Sequence, residues 1–176
     1  IDEADSMPSS GVYHHRFGSL IRAYELVGFK PDRDYRYIEI NKALRQKHHE
    51  TVADTIAMIE SLGGQAHRNP ATDLLTINGE FTASIVIARC QQTPAGSFRW
   101  KIRLDTGLAP DITVAVRMDS INEHPLDYYL LPLYDMTTDR LRLTEENGLM
   151  LDAYRFETLD FFYAMAERAR ISEIAA

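Results

Sequence analysis

Thiol chemistry is nearly absent from this chain: Cys90 is the single cysteine in 176 residues. An internal disulfide is therefore excluded, as is a multi-cysteine zinc site, and a reducing compartment, the cytoplasm, is the expectation. Long apolar runs are missing too. No uncharged stretch approaches the roughly 18 residues that a membrane span needs. The opening Ile1-Asp2-Glu3-Ala4-Asp5-Ser6 has neither the basic flank nor the apolar stretch of a signal peptide. We expect a soluble protein with no membrane partner, and the isoleucine start suggests a fragment or processed product. Catalytic signatures are equally scarce. There is no G-x-S-x-G elbow for a hydrolase nucleophile and no G-x-x-x-x-G-K-[ST] phosphate cradle. His49-Glu50 begins like a zinc-protease helix, but the position one turn on, where the second histidine must sit, is Ala53. No cofactor is expected.

What remains is an ordinary globular composition. Hydrophobic residues make up 45% and charged residues 26%, enough for one folded domain, or one domain with a small appendage. The net charge of −7 is unevenly spread. Residues 13–49 carry eight Lys/Arg against four acids, with His14, His15, His48 and His49 in or beside that section, whereas residues 119–176 carry 12 acids against 5 arginines. A basic section within an acidic chain fits a localised contact with an anionic partner, or else a solvated helical face.

Periodicity divides the chain into a helical front and a strand-rich remainder. Residues 1–11 read as a flexible leader, 12–40 as a small helical module and 41–176 as an α+β domain. Ser19 caps a short helix through Val27, stopped at Gly28. The segment 29–37 is irregular, and a longer helix runs from Lys42 to Leu62, which His48-His49 could interrupt. Strands follow over 73–77 and 81–90, joined at Asn78-Gly79 by a two-residue hairpin turn. Ala83 to Ala88 is apolar on both faces, so it belongs in the centre of a sheet. Residues 98–104 alternate strictly, with Phe98, Trp100, Ile102 and Leu104 on one face and Arg99, Lys101 and Arg103 on the other. Ile112, Val114, Val116 and Met118 form another alternating strand, and 126–133 a last one. A closing helix over 157–169 buries Leu159, Phe162, Met165, Ala166 and Ala169. The order predicts a single mixed or antiparallel sheet of about five strands packed by helices.

At about 3.3 Å per residue, Arg99 to Arg103 span about 13 Å, which matches about four steps along a nucleic-acid strand. Lysine and arginine in that row would make phosphate contacts, which position a protein without reading sequence. The alternatives are a merely exposed face, or one neutralised by the acidic C-terminal third. Cys90 reads as core packing. Tyr128, Tyr129, Phe161 and Phe162 would supply an apolar patch for self-association into a homo-oligomer, or else belong to the core.

Three resemblances add to this reading. Tyr13, Phe17-Gly18-Ser19-Leu20, Ala23 and Gly28 resemble the Y-x-x-x-F-G-S-[LW]-x-x-A-x-x-x-x-G pattern of homing-endonuclease-associated repeats, small helical modules tied to DNA enzymes. That likeness implies DNA contact around His14, His15, Arg16 and Arg22. Phe17 to Leu20, Ser84 to Cys90, Arg99 to Arg103, Val116 to Asp119 and Asp127 to Pro132 resemble C-terminal regions attached to bacterial resolvase/invertase-type serine recombinases, over about residues 12–170. It implies a non-catalytic, DNA-associated accessory domain, with the recombinase nucleophile on a preceding domain and none of its catalytic residues here. The hairpin, the tryptophan strand and the Tyr-Tyr-Leu-Leu-Pro strand look like divergent restriction-endonuclease-like domains, metal-dependent nucleases in which Asp73 and Glu80 would be ligands. No lysine of this chain has an acid two residues before it. Arg89 would stand in the lysine position and Ile87 in the acid position, so the resemblance implies an inactive or remodelled site. Asp73 as a strand-start cap and Glu80 as a turn residue are the ordinary alternatives.

Overall fold

The computed structural model describes residues 9–28, 36–104, 107–136 and 138–169. The chain divides into two compact units, residues 1–42 and 43–176.

In the first unit, α1 (Ser10–Phe17) and α2 (Leu20–Leu26) are separated by Gly18 and Ser19. Gly18 adopts φ +79°, a conformation open to glycine at little cost, and its N–H closes α1 on the His14 carbonyl. Ser19 caps α2 as expected, its Oγ accepting from the Arg22 N–H at 3.1 Å. The rings of Tyr13 and Phe17, one helical turn apart, stack at 6.4 Å. Sequence periodicity missed α1, because its apolar positions are few and none of its residues is buried. It begins at Ser10, inside the expected leader; residues 1–8 of that leader lie outside the described residues.

A long helix, α3 (Arg36–Ser61), runs from the first unit into the second. It starts six residues before the expected position and His48-His49 do not interrupt it: residues 29–35 of the expected irregular segment lie outside the described residues. Leu44, Val52, Thr55 and Ile59 form its buried stripe. His48 is half-buried, with Nε2 3.0 Å from the Ile85 carbonyl.

The second unit is α+β, with two sheets rather than one. Strands β1 (Ala66–Arg68), β2 (Leu75–Ile77), β3 (Phe81–Ala88), β6 (Ile112–Met118), β7 (Pro125–Pro132) and β9 (Arg155–Phe156) form a mixed sheet in the order β1-β2-β3-β6-β7-β9. Strands β4 (Cys90–Gln92), β5 (Phe98–Arg103) and β8 (Arg140–Leu143) form a second, antiparallel sheet in the order β4-β5-β8. Among the described residues, only β3 and β6 pair in parallel. A parallel pair needs a crossover, and here β4 and β5 occupy it instead of a helix. The expected final strand, β7, is thus followed by two more, both too short for a clear alternation.

The Asn78-Gly79 turn forms, with both residues at positive φ and the Glu80 N–H bonded to the Ile77 carbonyl. Ile77 pairs with Phe81, however, so Glu80 makes this a three-residue connection. The closing helix is shorter than expected, α5 (Asp160–Ala166); Phe162 and Ala166 are buried and Ala169 is exposed. Phe162 meets Phe81 edge-on across one face of the large sheet. Where α3 ends, a Cβ on Gly64 would lie 2.5 Å from the Ala166 carbonyl oxygen, so only glycine admits this approach.

The opposite face of the large sheet meets the small one. Ala88, Ala115, Tyr129 and Leu131 pack with Cys90, Trp100, Ile102, Leu104 and Leu143. β6 is consequently buried on both faces from Thr113 to Met118, where alternation alone predicts one wet face. This burial includes a charge. Arg117, 1% exposed, lies with its guanidinium 4.4 Å from the Trp100 ring centroid and 5.4 Å from that of Tyr129. It bonds Asp127, its cross-strand neighbour, through Nε at 2.7 Å and Nη2 at 2.5 Å, and donates from Nη1 to the Thr144 carbonyl at 2.5 Å. Asp127 also accepts from Arg155 Nε at 2.7 Å. Beside it, the Tyr129 hydroxyl donates to Asp152 at 2.7 Å, and burial together with this bond pushes the phenol up to about 12.

Replacing Asp127 leaves two guanidinium groups facing each other with no carboxylate between them. Asp127→Asn should cost about 3–5 kcal/mol of stability, read from urea unfolding. The Asn147 N–H and then the Tyr129 hydroxyl hold the Asp152 carboxyl below its ordinary 3.8. A depressed carboxyl stabilises the fold above its unfolded pKa, and that contribution is lost as pH falls through the folded value. Stability should therefore decline as pH drops below about 4, and Asp152→Asn should flatten that decline in urea titrations at successive pH values.

Candidate nucleic-acid interface

Strict alternation on β5 sends Trp100 and Ile102 into the core, which forces Arg99, Lys101 and Arg103 to the other face. Lys101 and Arg103 are exposed and Arg99 is half-buried, its Nη1 donating to the Phe98 carbonyl at 2.6 Å. The sequence row therefore exists as expected. The neighbouring strand adds further cations to it.

Strand β8 comes from the acidic C-terminal third, yet it lays Arg142 directly opposite Lys101 and Arg140 directly opposite Arg103. Directly paired residues share a face and stand about 4.5–5.5 Å apart at Cβ. On the other side, Gln91 of β4 pairs with Arg99 and is exposed. The outer face of the small sheet thus carries five cations in two rows, Arg99, Lys101 and Arg103 beside Arg140 and Arg142. Among the described residues, the one carboxylate within ion-pair reach of these five is Asp139, 3.9 Å from Arg140 Nε, with both side chains well exposed. Such a pair contributes little. The acidic third supplies further cations to this face rather than neutralising it.

Like charges facing each other across a strand pair are destabilising. Hydrophobic burial beneath offsets this, because Trp100 pairs with Leu143 and Ile102 with Leu141 on the inner side. Binding an anion would remove the repulsion.

Sequence reasoning missed Arg140 and Arg142 because β8 is four residues long and lies between irregular segments. The one hint was Arg-Leu-Arg-Leu, too short to establish a period by itself, which sets cation and apolar residue in the same order as Arg99-Trp100-Lys101-Ile102.

The remaining expected contact residues belong to the first unit. His14, His15 and Arg16 form the last turn of α1, where positive charge is favoured by the helix C-terminus, and Arg22 lies on α2. All four are exposed, and the Arg16 guanidinium lies 5.8 Å from the Phe17 ring.

A metal site at Asp73 and Glu80 does not assemble. Asp73 precedes β2, whereas Glu80 follows it at the far end, beyond the hairpin turn. Each is engaged elsewhere. Asp73, at φ +59°, accepts from Arg68 Nε at 2.9 Å and Nη2 at 2.6 Å, and Glu80 pairs with Arg168. No cluster of three or more His, Cys, Asp or Glu suited to a metal occurs among the described residues. The expected aromatic patch is likewise divided: Tyr129 and Phe162 are core residues, while Phe161 is 55% exposed and stacks on Phe156 at 5.3 Å. Cys90 is buried, and burial pushes its thiol up. No described helix is long and apolar enough to cross a membrane.

No family model matches the chain, and no curated protein matches it. Among solved structures, a bacterial homing endonuclease, I-Ssp6803I, is similar over 66% of this chain and 87% of its own, with a TM-score of 0.41 and 14% identity. At that distance no residue correspondence is drawn.

Cross-strand repulsion gives a direct test of the face. Arg142→Glu converts the Lys101 pair from like to opposite charge, so stability should rise by about 0.2–1 kcal/mol in low salt. The gain, measured as a shift in the urea midpoint, should shrink as salt is added.

Proposed function

We propose that this chain is a non-catalytic DNA-binding domain that grips the phosphate backbone with the outer face of its small sheet, as an accessory to a recombinase-like system. One observation carries the reading: five cations stand in two paired rows with, among the described residues, a single weakly placed carboxylate beside them. A surface kept at an electrostatic cost in the free protein is explained by a polyanion that relieves it. The β5 row runs about 13 Å along its strand and the β8 row about 7 Å, and the two lie about 5 Å apart, dimensions that let one backbone strand lie along them. Lysine and arginine here would fix position rather than read bases.

The first unit would supply a second contact through His14, His15, Arg16 and Arg22, in keeping with the resemblance of residues 13–28 to DNA-enzyme repeats. The recombinase setting rests on the resemblance of the longer text alone. The separation of Asp73 from Glu80 favours binding over metal-dependent cleavage. Self-association would need an apolar patch that Tyr129 and Phe162, both buried, do not contribute to.

Fluorescence anisotropy with a labelled duplex should give an observed affinity falling steeply with salt, at a log–log slope of about −4.5 for about five phosphate contacts. Lys101→Ala and Arg142→Ala should each weaken binding and reduce the slope by about 1. Salt-independent binding, or an unchanged slope in both variants, removes the small sheet from the interface.

A further inference from the structure

The inner side of β8 borders a cavity of about 230 Å³, lined among others by Asp135, Met136, Leu141, Met150, Leu151 and Tyr154. It lies at the edge of the small sheet, since among the described residues β8 has no strand beyond it. Leu141 points into this cavity between Arg140 and Arg142, which point the other way. The three most exposed large apolar side chains among the described residues, Leu149 at 94%, Tyr134 at 93% and Met150 at 87%, line it or directly adjoin its lining in sequence. Apolar surface left wet beside a small cavity is the usual signature of a ligand site.

Size and chemistry narrow the ligand. The volume falls short of the ≈300–1,000 Å³ typical of drug-sized sites, so it suits one planar group rather than a larger molecule. An aromatic ring and two thioethers offer stacking and adaptable apolar contact. The charged group in the lining is Asp135, an acceptor in its ionised form. It is held in place by the Tyr154 hydroxyl, which donates to Oδ2 at 2.6 Å. A carboxylate favours a flat ligand that presents adjacent donors. Guanine does so with N1–H and N2–H₂ side by side, whereas adenine and cytosine place a ring acceptor beside their amino group and thymine flanks N3–H with two carbonyls.

We propose that this cavity takes an unstacked guanine base, read on its Watson–Crick edge by Asp135. The proposal rests on the DNA-binding reading for its biological setting: a backbone lying across Arg140 and Arg142 would pass the edge of the sheet, over which a base can turn inward. Recognition of splayed bases by stacking and edge contacts is a general mode for single strands and for bases drawn out of a duplex.

The test uses nucleosides, which carry no phosphate and so do not depend on the cationic face. The protein labelled at its methionine methyls is titrated by NMR with guanosine, adenosine, cytidine and thymidine in turn. Guanosine should shift the Met136 and Met150 resonances at concentrations at least fivefold below those at which the other three act, with Met118, buried in the core, unmoved. Asp135→Asn should abolish the preference, and Tyr154→Phe should weaken it. Equal or absent responses to all four nucleosides, or a preference that survives in Asp135→Asn, overturn the proposal. A guanosine response in a protein that fails to bind duplex DNA would uphold the cavity and remove the phosphate-binding reading. Salt-dependent duplex binding without a guanosine response would do the reverse.

Discussion

The second unit is organised around a positive charge taken out of water. Arg117 lies between the ring of Trp100, which belongs to the small sheet, and that of Tyr129, which belongs to the large one, and Asp127 meets it with two hydrogen bonds. Stripping a guanidinium of solvent is expensive, and the expense is offset only when every donor is met and the ring faces are in place. The position of Trp100 is therefore set from both sides. Its Nε1 donates to the Met118 carbonyl at 2.7 Å, and its ring covers Arg117. Because β5 alternates, fixing Trp100 inward fixes Arg99 and Lys101 outward. A buried cation thus determines where the exposed ones face.

Asn122 provides a second tie between the sheets. It adopts φ +64°, and its side-chain amide pairs with the backbone of Cys90, accepting from the N–H at 2.7 Å and donating to the carbonyl at 3.2 Å. A turn residue here does the work of a neighbouring strand, holding β4 at the point where the chain leaves the large sheet. The cationic face is accordingly built on paired strands tied to the large sheet.

Much of the frame was legible because it obeys local rules. The Ser19 cap, the Asn78-Gly79 turn, the central placement of Ala83 to Ala88 and the outward row on β5 follow from capping, turn chemistry and two-residue alternation. What escaped is non-local. The partition of strands into two sheets depends on which pair across sequence distance, and β8 and β9 are too short to carry a period. Arg117 was hidden by the same cause: in isolation it fills the polar phase of an alternating strand, and only the arrival of the small sheet buries it. The available hint was Asp127 in the next strand, one acid in an otherwise apolar run. The Asp73 and Glu80 pair failed for the opposite reason, since proximity in sequence was undone by an intervening strand.

The two rows of the candidate interface come from segments 37 residues or more apart, Arg99 to Arg103 and Arg140 to Arg142. Until the later segment docks, the earlier one presents only its own three charges. During synthesis, then, the positive face would arrive in two instalments. A nascent chain halted before residue 140 would have a core edge uncovered and three of the five cations in place, so the full charge of this face is reserved for molecules that have completed the domain.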